Sequence, residues 1–360
     1  MKLQDFDYYL PSGRIAQQPV DPRDHSRLMV LDRRTRSVDH RRFYDLAEYL
    51  QPGDVLVIND TKVLPARLIG KKQSGGKVEI LLVRKKERAE PAIHAEEGSE
   101  QKPGEWECLV QSSGKVRDKT IVLLEEELQG ELLERISNGL WRLRLSGQGD
   151  VDGTLRRIGF PPLPPYIRRN GDRRLRVRDL ERYQTVYARQ EGAIAAPTAG
   201  LHFTEALLDE IRRIGVSIYS LTLHVGIGTF LPVKHEVIEN HRLVPEFFEV
   251  SAETVSSLNQ ARISGKRVIA VGTTVTRALE SSADEQGDLR PKRGQTGLFI
   301  LPGHRFRAVD RLITNFHLPR STLLMLVSAF AGREFILAAY EEAIRKNYRF
   351  YSYGDAMLIL

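Results

Sequence analysis

Residues 54–76 read DVLVINDTKVLPARLIGKKQSGG, and two textures meet inside this stretch. DVLVIN, Asp54 to Asn59, is an unbroken aliphatic run bounded by Pro52-Gly53 and by Asn59-Asp60, the pattern of a strand buried on both faces. From Ala66 onward the apolar runs shorten. ARLIG, KVEILLV, WECLV, TIVLL, GELLERI and LWRLRL follow one another to about Ser146, separated by breaks such as Ser74-Gly75-Gly76, Ser113-Gly114 and Asn138-Gly139. Residues 66–155 are therefore expected to form a small antiparallel β-barrel. It interrupts a large mixed α/β domain made from residues 1–65 and 156–360.

Working outward, Arg84 to Glu107 (RKKERAEPAIHAEEGSEQKPGEWE) is charged and nearly free of large apolar groups, which predicts a mobile hairpin tip. Arg156 to Arg182 carries the proline cluster IGFPPLPPYI and nine arginines against three acids, which reads as a stiff, basic return linker. Arg168, Arg169, Arg173 and Arg174 are its candidates for contacting a polyanion. Beyond it, the strands SIYSLTLHV and RVIAVG alternate with helical patterns at TEALLDEIRRIG, AETVSSLNQARISG, TTVTRALESSA and STLLMLVSAFAG.

A chain of 360 residues exceeds the usual single core, so two domains are expected. No apolar run reaches the roughly 18 residues a membrane span needs, and MKLQDFDYYLPSGRIAQQP lacks the layout of a signal peptide, so the expected location is the cytoplasm. Cys108 is the only cysteine, which leaves no intrachain disulfide, thiolate zinc site or iron–sulfur cluster to this chain alone. A net charge of +7 favours a polyanionic partner, although basic surfaces also serve solubility.

Three histidines share a setting of apolar neighbours beside Thr, Gly or Pro breaks: His202 in AAPTAGLHFT, His224 in LTLHVGIGTF and His317 in ITNFHLP. Each reads either as a satisfied core histidine or as an acid/base group at the end of an element. A tri-histidine metal site fits no familiar ligand spacing, and no metal is expected. In RVIAVGTTVTRALE, Thr273 and Thr274 can cap a helix that carries Arg277 one turn inside, either as an ordinary start or as a site for a carboxylate or phosphate. Asn59, Asp60, Thr61 and Arg67 in INDTKVLPARL are turn formers and an exposed base, or ligand contacts. Asp355 beside Tyr353 and Gly354 belongs to a docked terminal strand or faces a cation.

INDTKVLPARL, LPPYI, ERYQTVYA (Glu181 to Ala188), AAPTAGLHFT, LTLHVGIGTF, VDRLITNFHLPRSTLLMLVSAF and YRFYSYGDAM, in this order, resemble the signature blocks of the S-adenosylmethionine:tRNA ribosyltransferase-isomerase family of queuosine biosynthesis. The resemblance implies a large α/β domain interrupted by a β-barrel. It also implies transfer and isomerisation of the ribosyl part of S-adenosylmethionine onto 7-aminomethyl-7-deazaguanine at the tRNA wobble position, giving epoxyqueuosine, adenine and methionine. No metal or redox cofactor is implied, and the partners are tRNA and S-adenosylmethionine as co-substrate, with the chain taken as a monomer. One block departs from the family: where an H-x-M-H-x-E pattern is usual, this chain reads HRLVPEF, so His241 and Glu246 remain while Val244 replaces the second histidine.

Under that resemblance, His202, His224 and His317 are the candidates for proton transfer. Thr198, Gly200, Gly226, Gly228, Thr229 and Asn315 line the loops that donate to developing charge. Phe203, Phe230, Phe316 or Tyr353 would face the sulfonium, with Glu246 or Asp355 nearby. The methionine carboxylate would suit the helix start from Thr273 to Arg277. Two other readings stand beside this one, a non-catalytic RNA-binding protein and an S-adenosylmethionine-dependent RNA methyltransferase. Only the ribosyl transfer releases free adenine.

Overall fold

The structure, a computed structural model, describes residues 1–86, 104–137, 139–169, 173–230, 233 and 235–360, with side chains for all of these but Ser137, Thr229 and Phe230. The expected hairpin tip therefore falls mostly outside the described residues. In chain order the strands begin with β1 (Arg27–Asp32), β2 (Ser37–Arg42), β3 (Val55–Asn59) and the short β4 (Thr61–Val63). Next come β5 (Arg67–Lys72), β6 (Lys77–Lys85), β7 (Gly104–Ser112), β8 (Thr120–Leu123), β9 (Gln129–Ser137) and β10 (Leu140–Ser146), then helices α1 (Val151–Ile158) and α2 (Arg176–Arg182). The remainder is β11 (Gln190–Ala193), α3 (Glu205–Arg213), β12 (Ser217–Leu223), β13 (Glu246–Val250), α4 (Ala252–Ile263), β14 (Val268–Val271) and α5 (Thr273–Ser282). It closes with β15 (Lys292–Thr296), β16 (Arg311–Asn315), α6 (Thr322–Ala331), α7 (Arg333–Arg345) and β17 (Ala356–Ile359).

The chain divides into two compact units, one of residues 1–62, 163–172 and 181–360, the other of residues 63–162 and 173–180. The fold class expected from the sequence, mixed α/β with a small antiparallel barrel, is the one formed. The smaller unit closes β10-β7-β6-β5-β8-β9 into a barrel. Its strands alternate: Val78, Ile80 and Leu82 of β6 and Trp141, Leu143 and Leu145 of β10 are buried, with polar neighbours outside. Cys108 fills the same interior, and burial pushes its thiol up to about 12, so it is an inert packing group. The stretch read as a linker is partly helical at its two ends. α1 starts at Asp150, whose carboxylate accepts from the Gly153 amide at 2.9 Å.

The larger unit is built on a nine-stranded sheet in the order β15-β13-β12-β3-β14-β16-β17-β1-β2. β12, β3, β14 and β16 run parallel, and the flanking pairings are antiparallel except for β17 with β1. The aliphatic runs are unbroken because both faces of the sheet are covered. Val55 and Val57 enter one core with α4 to α7, while Leu56 and Ile58 enter the other with α3 and the turn of Phe43 and Leu46. Val268 and Ala270 against Ile269 and Val271 repeat the alternation, as do Met357 and Ile359 against Ala356 and Leu358. The outermost strands SVDHRR and KRGQT are polar, which discourages further strand addition. Among the described residues no single helix is long and apolar enough to cross a membrane.

Candidate functional site

Parallel strands expose their carboxyl ends along one edge, where loops can converge without disturbing the sheet. β3 ends at Asn59, β12 at Leu223, β14 at Val271 and β16 at Asn315. The segments Asn59-Asp60-Thr61, His224-Val225-Gly226, Gly272-Thr273-Thr274 and Asn315-Phe316-His317 thus meet at one edge. Because β17 runs against β16 and beside β1, Asp355 and Ser26 arrive there from the amino ends of their strands.

Asn59 ties the first two segments. Its Nδ2 donates to the Leu223 carbonyl at 2.9 Å, and its Oδ1 accepts from the amides of Leu223 at 3.0 Å and Thr61 at 3.2 Å. Asp60 accepts from the Thr222 hydroxyl at 2.7 Å and from Arg189 at 2.8 Å. Thr61 Oγ1 stands 2.8 Å from His224 Nδ1, and the ring of His224 stacks on Phe247. Gly192 leaves the space for it, since a Cβ there would lie 2.7 Å from His224 Nε2. Burial holds the His224 imidazole below its ordinary range, and the Asp60 carboxylate partly offsets this. Among the described residues none hydrogen-bonds its Nε2.

The other two histidines differ. His202 ends the 3-10 turn Thr198–His202 and is buried, stacked on Phe43, with Nδ1 2.7 Å from Ser26 Oγ and Nε2 3.1 Å from Asn315 Nδ2. An amide nitrogen can only donate, so Nε2 is the acceptor and Nδ1–H donates to the serine. Burial first, then the charges of Arg349 and Arg23, push this imidazole down to about 3. His317 is likewise buried, 2.9 Å from Thr314 Oγ1, and held at about 3 by burial. The three histidines expected to act alike thus stand in different surroundings: His202 and His317 are buried with ring nitrogens engaged, while His224 is only partly buried. Among the described residues no three His, Cys, Asp or Glu side chains gather as a metal-binding group.

Other expectations are corrected by packing. Phe203 and Phe316 are wholly buried among rings, Phe203 against Phe43 and Phe316 against Tyr340, Tyr348 and Phe350, so neither offers a face to a sulfonium. Tyr353 is buried edge-on to Tyr183. Asp355 does not face a cationic ligand: it accepts from the amides of Arg27 at 3.1 Å and Arg349 at 2.8 Å, with the Arg349 guanidinium at 3.5 Å. The helix start is capped by Gly272 at φ +96°, and Thr273 and Thr274 are its first helical residues rather than its caps. Arg277 pairs with Glu246 in a buried ion pair and donates to the Leu298 carbonyl at 3.0 Å, while Glu246 accepts the Gly226 amide at 2.8 Å.

Gly228 lies in the turn beside Val244, which is exposed, and His241 packs edge-on against Phe299. The side chains of Thr229 and Phe230 lie outside the described residues. Arg67 sits on the barrel wall, paired with Glu79 through contacts of 2.6 and 2.8 Å. Of the basic stretch, Arg168 and Arg174 are exposed, Arg169 donates to the Gln17 carbonyl at 2.9 Å, and Arg173 pairs with Glu125. Sequence reasoning singled out neither Ser26, which partners His202 Nδ1, nor Thr185 and Tyr187, which stand against Gly200 of the turn before it. The last two stand in ERYQTVYA, a block read for its resemblance and not for its chemistry, and Ser26 carries no local signal at all.

The family described as "Queuosine biosynthesis protein" matches residues 3–359. The S-adenosylmethionine:tRNA ribosyltransferase-isomerase of Caldanaerobacter subterraneus subsp. tengcongensis is 50% identical over the whole of both chains, and that of Syntrophus aciditrophicus is 48% identical over the same extent. The crystal structure of S-adenosylmethionine tRNA ribosyltransferase from Thermotoga maritima, 39% identical, aligns with 99% of this chain and 100% of its own at a TM-score of 0.55. With a family match running nearly end to end and full-length relatives about half identical, this chain belongs to the S-adenosylmethionine:tRNA ribosyltransferase-isomerase family of queuosine biosynthesis.

Proposed function

We propose that this chain transfers and isomerises the ribosyl moiety of S-adenosylmethionine onto 7-aminomethyl-7-deazaguanine at the wobble position of tRNA, giving epoxyqueuosine and releasing adenine and methionine. The observation that carries the reading is the convergence of the family's polar blocks on the carboxyl edge of β12, β3, β14 and β16, within a chain that matches its relatives end to end. The primary ammonium of the acceptor base must lose a proton before it attacks. The carbon beside the sulfonium is acidified by that charge, and adenine leaves more easily when protonated. His224, half-buried and with Nε2 uncommitted, is the group we assign to proton transfer. The start of α5 suits the methionine carboxylate, since the first amides of a helix and its dipole favour an anion. The chain acts in the cytoplasm, as a monomer, with neither metal nor redox cofactor.

With hypomodified tRNA and S-adenosylmethionine, adenine and methionine should appear in equal amounts in the presence of a chelator. S-adenosylhomocysteine as product would make the chain a methyltransferase, and loss of turnover on chelation with recovery on adding zinc would overturn the metal-free assignment. Exchanging Arg168, Arg169, Arg173 and Arg174 for Gln should weaken tRNA affinity and flatten its salt dependence, by about 0.7 to 0.9 in log–log slope for each phosphate that is no longer neutralised. Turnover at saturating tRNA should be kept. Binding titrations from low to high salt check this, and an unmoved slope marks those arginines as solvated surface.

A further inference from the structure

Several buried polar side-chain atoms of the larger unit have no hydrogen-bond partner among the described residues, and three of them stand around one turn: Thr185 Oγ1, Tyr187 Oη and Asn315 Oδ1. The turn is Thr198–His202. At its centre Gly200 has no room for a side chain, because a Cβ would lie 2.2 Å from Tyr187 Oη and 2.8 Å from Thr185 Cγ2. At its end His202 takes the Asn315 Nδ2 hydrogen at 3.1 Å. The same Nδ2 donates to the Tyr351 carbonyl at 3.2 Å, so the Asn315 amide is held in one orientation with its oxygen left over. Tyr351 itself sits at φ +73°, an unusual conformation for a bulky residue, and its amide is tied to the Phe316 carbonyl at 3.1 Å. A strained residue and an oriented amide thus present an acceptor that nothing among the described residues uses. Natural folds rarely leave buried polar atoms unpaired, and a group of them points to an external partner.

The chemistry of the three atoms narrows that partner. Asn315 Oδ1 can only accept, while each hydroxyl can donate once and accept as well. A carboxylate or phosphate would bring acceptors alone against the amide oxygen. It would also find no open cation in Arg23, whose guanidinium donates to the carbonyls of Gln184 at 2.8 Å, Leu201 at 3.3 Å and Glu181 at 2.9 Å. An ammonium would want a carboxylate, and Asp60 is taken by Thr222 and Arg189. Neighbouring sugar hydroxyls, each both donor and acceptor, match all three atoms. We infer that Thr185, Tyr187 and Asn315 form a subsite over the Gly200 turn that binds the vicinal hydroxyls of the ribosyl donor, an inference that rests on the function proposed above.

The test compares S-adenosylmethionine with its 2′-deoxy and 3′-deoxy counterparts as ligands of the full chain, measured by calorimetry for the parent, Tyr187→Phe and Thr185→Val. The parent should bind the deoxy compounds about ten- to a hundredfold more weakly, the scale for leaving buried hydrogen-bonding groups unpaired. Each variant should lose most of the discrimination against one of the two. Their melting temperatures should equal or exceed that of the parent, because each substitution deletes a buried hydroxyl that has no partner among the described residues. Variants that keep the parent's discrimination against both compounds overturn the subsite, and a lowered melting temperature with unchanged discrimination marks the hydroxyls as structural. Adenine release by the parent is followed in the same preparation. If the parent releases adenine and the variants discriminate as before, the subsite alone falls; if the parent neither binds the donor nor releases adenine, the proposed function falls and the subsite with it.

Discussion

His224→Ala is expected to lower the maximal rate of adenine release by roughly a hundredfold or more, the scale for losing a positioned proton-transfer group, with little change in melting temperature. His224 is only partly buried, and its Nε2 has no partner among the described residues. His202→Ala and His317→Ala should behave differently, losing stability along with rate. In His202→Ala a cavity opens beside Phe43 and both Ser26 and Asn315 lose a buried partner, which costs about 2–4 kcal/mol. The pH dependence separates the roles further. As a base His224 works in its neutral form, and burial holds its imidazole below the ordinary value, so kcat/KM should stay level down to about pH 6.5 and fall only below it. For His202 and His317 the unfolded state binds protons that the folded state refuses. Stability is then complete above about pH 6.5 and is lost as pH falls toward 3. A well-folded His224→Ala variant with parental rate would remove the proton-transfer assignment.

The sheet was legible because its strands are covered on both faces. DVLVIN, RVIAVG and the apolar C-terminal tail read as aliphatic runs, and the barrel read as short runs between glycine turns. Harder to see were α1, which includes Gly153 and Thr154 and is announced by little more than its Asp150 cap, and α7, to which the sequence reading assigned no helix. The latter's stripe of Phe335, Ile336, Ala339, Tyr340 and Ala343 is diluted by alanines and follows directly on the more apolar α6. The site was legible as segments and opaque as chemistry. His202 and His224, in like local settings, separate through partners far along the chain, Ser26 and Asn315 for His202 against Thr61 for His224. Whether a ring nitrogen is spent or open is a property of the tertiary fold. The same holds for Arg277, which lies one turn inside α5 as its spacing implied, while its partner came from β13.

That pair sets the second large expectation. Glu246 and Arg277 are both nearly shut from solvent, with side chains 5% and 9% exposed. Two charges taken from water stabilise a fold only weakly as a pair, yet removing one partner strands the other. Arg277→Ala should therefore cost about 3–5 kcal/mol, measured as a shift of the urea midpoint with unchanged slope. Glu246→Ala should cost a similar amount. The double change Glu246→Leu with Arg277→Met removes both charges while filling much the same volume, so it should recover most of the loss; what remains unrecovered is the Gly226 amide, which gives up its acceptor. Because that amide follows directly on His224 and Val225, the double variant should also turn over more slowly than the parent even where it is as stable. A substrate-holding arginine would fail differently, raising KM in Arg277→Ala while the urea midpoint stays in place. That outcome, or a double variant no more stable than the worse single one, would show that the pair does not act as one buried unit.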